Sequence, residues 1–143
     1  MYNGGYLIGQ IHKIGGRKFN ELLRNANIDE FNGSQGIILY SLWDKKDLTI
    51  KEISKSTGLA KTSLTSMLER MEQSNLIEKV ENLDDKRSTK IRITKKALEL
   101  EKEYNNVSNN MSNLYYKGFR EKEIRQFEDY LQRILKNLEE VKW

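Results

Sequence analysis

Between Thr49 and Ser74 the sequence specifies two helices with almost nothing between them, and this pairing limits the fold more than any other feature. Thr49 and Glu52 have the spacing of a capping box, in which a hydroxyl accepts the amide of the third helical residue and a Glu accepts the amide of the cap. Gly58 ends that first helix, because glycine takes the left-handed conformation of a helix terminus without a Cβ penalty. A second helix restarts a few residues later and runs to Ser74 or Asn75, with Leu64, Met67, Leu68 and Met71 on its inner face. A short helix, a glycine turn and a second helix make a helix-turn-helix.

Two strands follow directly. Leu76–Asn82 reads as a short strand and Lys90–Thr94 alternates as another, with the polar loop 83–89 between them. A β-hairpin joined to a helix-turn-helix is a winged helix. The charge of the chain sits on that hairpin. Of 25 Lys and Arg against 21 Asp and Glu, the segment 82–96 holds Lys86, Arg87, Lys90, Arg92, Lys95 and Lys96 but only Asp84 and Asp85. The net charge of +4 is therefore carried there, and the other 128 residues hold 19 of each sign. A charge island is either a solvated loop or a docking place for a polyanion. Its position on a wing favours the second.

The flanks are helical. Tyr6–Ala26 places Leu7, Ile11, Ile14, Phe19, Leu22 and Leu23 at helical spacing. Gly15-Gly16 interrupts it, at about 1 kcal/mol for each glycine relative to alanine; a close approach of another helix would explain the pair. Asn32-Gly33-Ser34 is a turn, and Ser34 is the expected cap of a short apolar helix, Gln35–Lys45. After the wing, Ala97, Leu100, Tyr104, Val107, Met111 and Leu114 recur at heptad spacing. Following a break at Tyr116–Phe119, so do Ile124, Phe127, Leu131, Ile134, Leu138 and Val141. A single helix over Thr94–Lys117 would extend about 36 Å, too far for a winged-helix core to cover. The stripes are buried either in an intrachain helical hairpin or, as we expect, in a two-fold dimer. The expected fold class is mostly α with a small β-hairpin wing. One unit spans 1–143, with a winged helix-turn-helix lobe at 33–94 and a helical dimerisation region at 1–30 and 95–143.

Several chemistries are excluded. Without cysteine there is no disulfide, cysteine zinc site or catalytic thiol, and His12 is the single histidine. There is no phosphate loop, dinucleotide fingerprint or nucleophile elbow, and Gly15-Gly16 follows no strand. Neither an enzyme nor a cofactor or metal site is expected. The longest apolar run, Ile37–Tyr40, falls far short of the ~20 residues that span a bilayer, so no membrane partner is expected. Met1-Tyr2-Asn3-Gly4-Gly5 lacks the charged start of a signal peptide, and a cytoplasmic location is the expectation.

In this order the elements resemble the MarR family of bacterial transcriptional regulators along essentially the whole chain. Asp85-Lys86-Arg87, followed by Ile91-Arg92-Ile93-Thr94, resembles the family's wing: Asp, any residue, Arg, then an apolar-x-apolar-Thr strand. Leu59–Thr65 and Leu68–Glu72 look like its recognition helix, and Asn75-Leu76-Ile77-Glu78 like the element that launches the wing. The sequence departs from the pattern at Ala60, where an acidic or hydroxyl cap is common, at Ala97, often Gly, and at Arg120, often Ser or Thr. The absence of cysteine excludes the branch that senses peroxide by cysteine oxidation.

The site expectations combine both lines of argument. Lys61, Thr62, Ser63, Thr65 and Ser66 offer short polar groups and a charge at the start of the second helix, where the backbone lies nearest a groove floor. Arg70 grips phosphate or pairs with an acidic neighbour, and Ser34 and Thr49 are helix caps placed near phosphate. On the wing, Arg87 suits a narrow minor groove, and Asp85 orients it through a bidentate pair, as the resemblance also implies. Lys86, Ser88, Lys90 and Arg92 complete the wing surface. For each position a solvated face or a structural ion pair is the alternative. The resemblance implies a homodimer on pseudopalindromic double-stranded DNA, with repression as the expected outcome. It also implies small, often aromatic, effectors in a cleft between dimer helices and DNA lobe. His12, Tyr40, Trp43, Tyr115 and Tyr116 are the candidates there, with core or interface roles as the alternative. The rival to DNA binding is a winged-helix module that assembles only with protein.

Overall fold

In the computed structural model, which describes residues 1–45 and 47–143, the first element is a long helix, α1 (Gly4–Asn25). The helix α2 (Gly33–Lys45) follows, and its start corrects one expectation. The cap is Asn32, not Ser34: the Gln35 amide donates to Asn32 Oδ1 at 2.9 Å and the Asn32 amide donates to Gln35 Oε1 at 3.1 Å. Asparagine has a Gln three residues on to close the reciprocal pair, and serine does not. Ser34 instead lies exposed in the first turn.

The strand β1 (Asp47–Thr49) was not expected. It leads into α3 (Ile50–Thr57), whose capping box forms as read: the Glu52 amide donates to Thr49 Oγ1 at 3.1 Å, and the Thr49 amide to Glu52 Oε1 at 2.9 Å. The amide and then the hydroxyl of Thr49 hold the Glu52 carboxyl below its ordinary range. Gly58 closes the helix with φ of 75°. The second helix of the pair, α4 (Lys61–Gln73), buries Leu64, Leu68 and Met71, while Met67 is half-buried. The wing strands are β2 (Ile77–Glu81) and β3 (Thr89–Ile93), and the sheet order is β1-β3-β2, antiparallel throughout. The core lies where α2, α3 and α4 meet this sheet, around Ile38, Leu39, Leu42, Ile53, Leu68 and Ile91.

The single helix expected over Thr94–Lys117 is two: α5 (Lys95–Leu98) and α6 (Glu101–Tyr115). Trp43 causes the break. Its indole Nε1 donates to the Ala97 carbonyl at 3.1 Å, and the Leu100 amide donates to the same oxygen at 3.1 Å. That carbonyl is thus engaged from outside the helix and by an i→i−3 bond, and the regular ladder restarts only beyond Leu100.

Beyond this break α6 packs within the chain. Tyr104 is buried, with its ring 4.9 Å from Trp43, 5.8 Å from Phe19 and 5.9 Å from Phe31. Gly15 of α1 faces α6 so closely that a Cβ there would lie 2.5 Å from Tyr115 Oη, which accounts for one of the two adjacent glycines. The last helix, α7 (Glu121–Glu140), buries no residue. It touches the end of α6 through Tyr116, whose hydroxyl donates to Glu128 Oε2 at 2.7 Å and whose ring lies 6.3 Å from Phe127. The intrachain helical hairpin therefore does not form. The α7 stripe, with Phe127, Leu131, Ile134 and Leu138, stays exposed, as do Leu7, Ile11 and Ile14 of α1. Among the described residues no helix is long and apolar enough to cross a membrane.

Candidate nucleic-acid interface

The burial of Leu64, Leu68 and Met71 against the core turns the opposite face of α4 outward. Lys61, Thr62, Ser63, Thr65, Ser66 and Arg70 are all exposed on it. Thr65 donates its hydroxyl to the Lys61 carbonyl at 2.9 Å, which leaves its methyl as the free group. Arg70 makes no ion pair among the described residues, and Ala60 supplies no side-chain cap to the first-turn amides. Thr49 sits opposite Lys90 in the sheet register with its hydroxyl engaged in the capping box.

The wing tip is a tight turn built on Asp85. Its Oδ1 accepts the Arg87 backbone amide at 3.0 Å and Arg87 Nε at 3.2 Å. The pair is thus formed through one carboxylate oxygen and is not the expected bidentate pair. One intervening residue brings Nε to the oxygen that already closes the turn, so the two planar groups cannot align edge to edge. The Arg87 side chain is 92% exposed, and an ion pair so exposed adds little stability. The contact ties the Arg87 guanidinium to the oxygen that closes the turn.

The other wing residues divide between surface and support. Lys86 is exposed beside Arg87. Lys90 is half-buried in β3, between Thr49 and Val80. Arg92 pairs with Asp47 at 3.4 Å, and Lys96 donates to the Ser74 carbonyl at 3.2 Å. Ser88 is half-buried and internal, accepting from Asn82 Nδ2 at 2.8 Å and donating to the Asp85 carbonyl at 3.3 Å. Asn82 itself escaped the sequence reading. An uncharged polar residue ending a strand looks like loop, and only its burial in the fold distinguishes it.

Of the effector candidates, His12 and Tyr115 come together on a cavity of about 300 Å³ between α1, α2 and α6, with Ser34, Tyr104 and Ser108 also on its wall. Trp43 does not reach it; it is a buried core residue held at Ala97. Tyr40 is exposed outside the cavity, 6.3 Å from Tyr104 ring to ring. Tyr116 lies at the α6–α7 corner, its hydroxyl pushed up to about 12 by burial and then by the Glu128 carboxylate. A larger apolar groove of about 570 Å³ runs between α1 and α6, past Leu7, Ile11, Ile14 and Leu114. Among the described residues no group of three or more His, Asp or Glu side chains is placed to hold a metal ion.

Comparison with known proteins bears on this arrangement. Residues 31–89 match the model of the MarR family. The chain is 35% identical over 78 residues to the organic hydroperoxide resistance transcriptional regulator of Bacillus subtilis (strain 168), covering 54% of this chain. The match takes in 51% of that relative, so the chain spans about half its length. It is also similar to the HTH-type transcriptional regulator MgrA of Staphylococcus aureus, 23% identical over 128 residues, covering 88% of this chain and 86% of that protein. In fold it resembles a mutant MarR from E. coli complexed with operator DNA, with a TM-score of 0.82, 23% identity and 92% of each chain covered.

Proposed function

We propose that the chain is a MarR-family protein, a reading that the match of residues 31–89 to the family model supports, and that it is a homodimeric transcriptional regulator, a repressor, that binds a pseudopalindromic operator. The observation that carries this reading is Arg87, almost fully exposed at a hairpin tip and aimed by Asp85. A guanidinium so presented fits a narrow A·T-rich minor groove, where negative potential concentrates. Asp85 repels phosphate and serves by orienting its neighbour. The α4 face with Lys61, Thr62, Ser63, Thr65, Ser66 and Arg70 then enters the adjacent major groove, its Thr methyls suited to thymine and its charges to phosphate. Lys86 and Lys90 add attraction that does not depend on base sequence. Thr49, through its capping box, contributes to the placement of α3.

The division of labour follows the exposed surfaces. Residues 33–94 form the DNA lobe. The segments 1–30 and 95–143 form the dimer region, where the bare stripes of α1 and α7 are covered by a second copy. Two α4 helices about 34 Å apart read successive major grooves, and the two-fold axis demands the palindrome. A small aromatic effector in the cavity beside His12 and Tyr115 would press on α1 and α6 and change the spacing of the two lobes.

Selection of bound fragments from random duplex DNA tests the reading. The expected outcome is enrichment of an inverted repeat, and Arg87→Ala should weaken binding to it at least about tenfold by fluorescence anisotropy. No enrichment, together with capture of a protein partner by the same surface, would replace this reading with that of an interaction module.

A further inference from the structure

Asn82 is the one buried polar side chain among the described residues, 5% exposed, and it stands at the base of the wing where β2 runs into the loop. Both of its amide atoms are engaged by that loop. Nδ2 donates to Ser88 Oγ at 2.8 Å, and Oδ1 accepts the Asp84 amide at 3.1 Å. Ser88 then donates its hydroxyl at 3.3 Å and its amide at 3.1 Å to the Asp85 carbonyl. Between these two anchored ends lie Asp85 and Arg87, joined through Asp85 Oδ1.

The exposed Asp85–Arg87 pair is too weak to hold the tip by itself. A buried amide with both ends satisfied has one good geometry, because leaving either group unpaired away from water is costly. We infer that Asn82 is the positioning residue of the wing: by clamping Asp84 and Ser88 it fixes the loop that presents Arg87, and it sets affinity for duplex DNA without touching the DNA. This rests on the reading of Arg87 as a DNA contact. Without the clamp, the tip must be ordered during binding, and the cost of immobilising the arm in both wings of a dimer is about tenfold in affinity.

The test is a double-mutant cycle on the full chain, read by fluorescence anisotropy with the duplex recovered from random-sequence selection. Asn82→Ala should weaken binding about tenfold in the parent chain and by less than about twofold when Arg87→Ala is already present. Ser88→Ala, which releases one of the two anchors, should lose about threefold and be silenced in the same background. Wild-type binding by Asn82→Ala, alongside weak binding by Arg87→Ala, would overturn the inference. So would equal losses with and without Arg87, since a residue that unfolds the wing or meets DNA itself would act regardless of the arginine. Undiminished binding by Arg87→Ala would instead overturn the underlying reading of the wing.

Discussion

Gly36 sits where α2 meets α6, and its substitution separates packing from helix propensity. A Cβ built there would lie 2.7 Å from Tyr104 Cε2 and 3.2 Å from Phe31 Cε2. Tyr104 has little room to retreat, being 6% exposed and ringed by Phe19, Phe31 and Trp43. Gly36→Ala therefore combines a gain of about 1 kcal/mol in helix propensity with an overpacking cost of about 1–3 kcal/mol. Gly16→Ala supplies the reference. It too lies inside a helix, and its Cβ would meet nothing within 4 Å. Subtracting one from the other removes propensity and leaves packing, which for a chain of this length is about 3–9 °C in midpoint. Thermal unfolding followed by circular dichroism, at equal protein concentration because association shifts midpoints, should place Gly16→Ala above the parent and Gly36→Ala below Gly16→Ala by that margin. A Gly36→Ala protein that melts with or above Gly16→Ala would refute the claim that the Tyr104 cluster is rigid. Because Tyr104 also lines the cavity beside His12, the same experiment reports how stiff that wall is.

Other perturbations have similarly direct outcomes. If each protomer neutralises about three phosphates, log affinity against log salt should fall with a slope of about −5; a slope near zero in a duplex titration would remove the electrostatic role of wing and α4. Leu131→Glu places a charge on the exposed stripe of α7, and sedimentation should then find monomers whose winged-helix lobe stays folded, since α7 buries nothing in its own chain. An intact dimer would show that the stripe is not the interface. The Tyr116 hydroxyl, held at about 12 by burial and by Glu128, keeps its proton more tightly folded than unfolded, where the ordinary value is 10.0. Its stabilisation is complete below about pH 10 and is lost as pH rises through about 12. The gap in unfolding midpoint between the parent and Tyr116→Phe should accordingly be flat to about pH 10 and then close, whereas a gap constant up to pH 12 would refute the hydrogen bond as its source.

What was legible in the sequence was what neighbouring residues decide among themselves. Thr49, Glu52 and Gly58 bracket α3 because a capping box and a left-handed terminus are local chemistry. The strand β3 alternates over five residues, enough to show a period, and β2 pairs with it across a seven-residue loop. β1 has three residues and no period; it exists because Leu48 meets Ile91 across the sheet, a partner far along the chain. The break between α5 and α6 is of the same kind. The spacing of Ala97, Leu100 and Tyr104 is that of an unbroken helix, and the interruption comes from the indole of Trp43, 54 residues away from Ala97.

The wing shows the same division at the level of function. A charge count along 82–96 locates the basic island, since adding charges needs no fold. Which charges are free is decided by tertiary contacts. Arg92 is partly neutralised by Asp47 of β1, and Lys96 is bound to the end of α4. Ser88, which looks like a surface hydroxyl, is half-buried and tied to Asn82 and Asp85. The basic residues of the island therefore differ in how they are held: Lys86 and Lys95 are exposed without an ion pair among the described residues, whereas Arg87 is exposed at the hairpin tip beside Asp85. At the tip stand Lys86 and Arg87, whose partner Asp85 lies on the same turn, so both charges project beyond the sheet. The contacts of Arg92 and Lys96 hold their charges close to the sheet and to the end of α4, and Arg87 projects furthest from the fold.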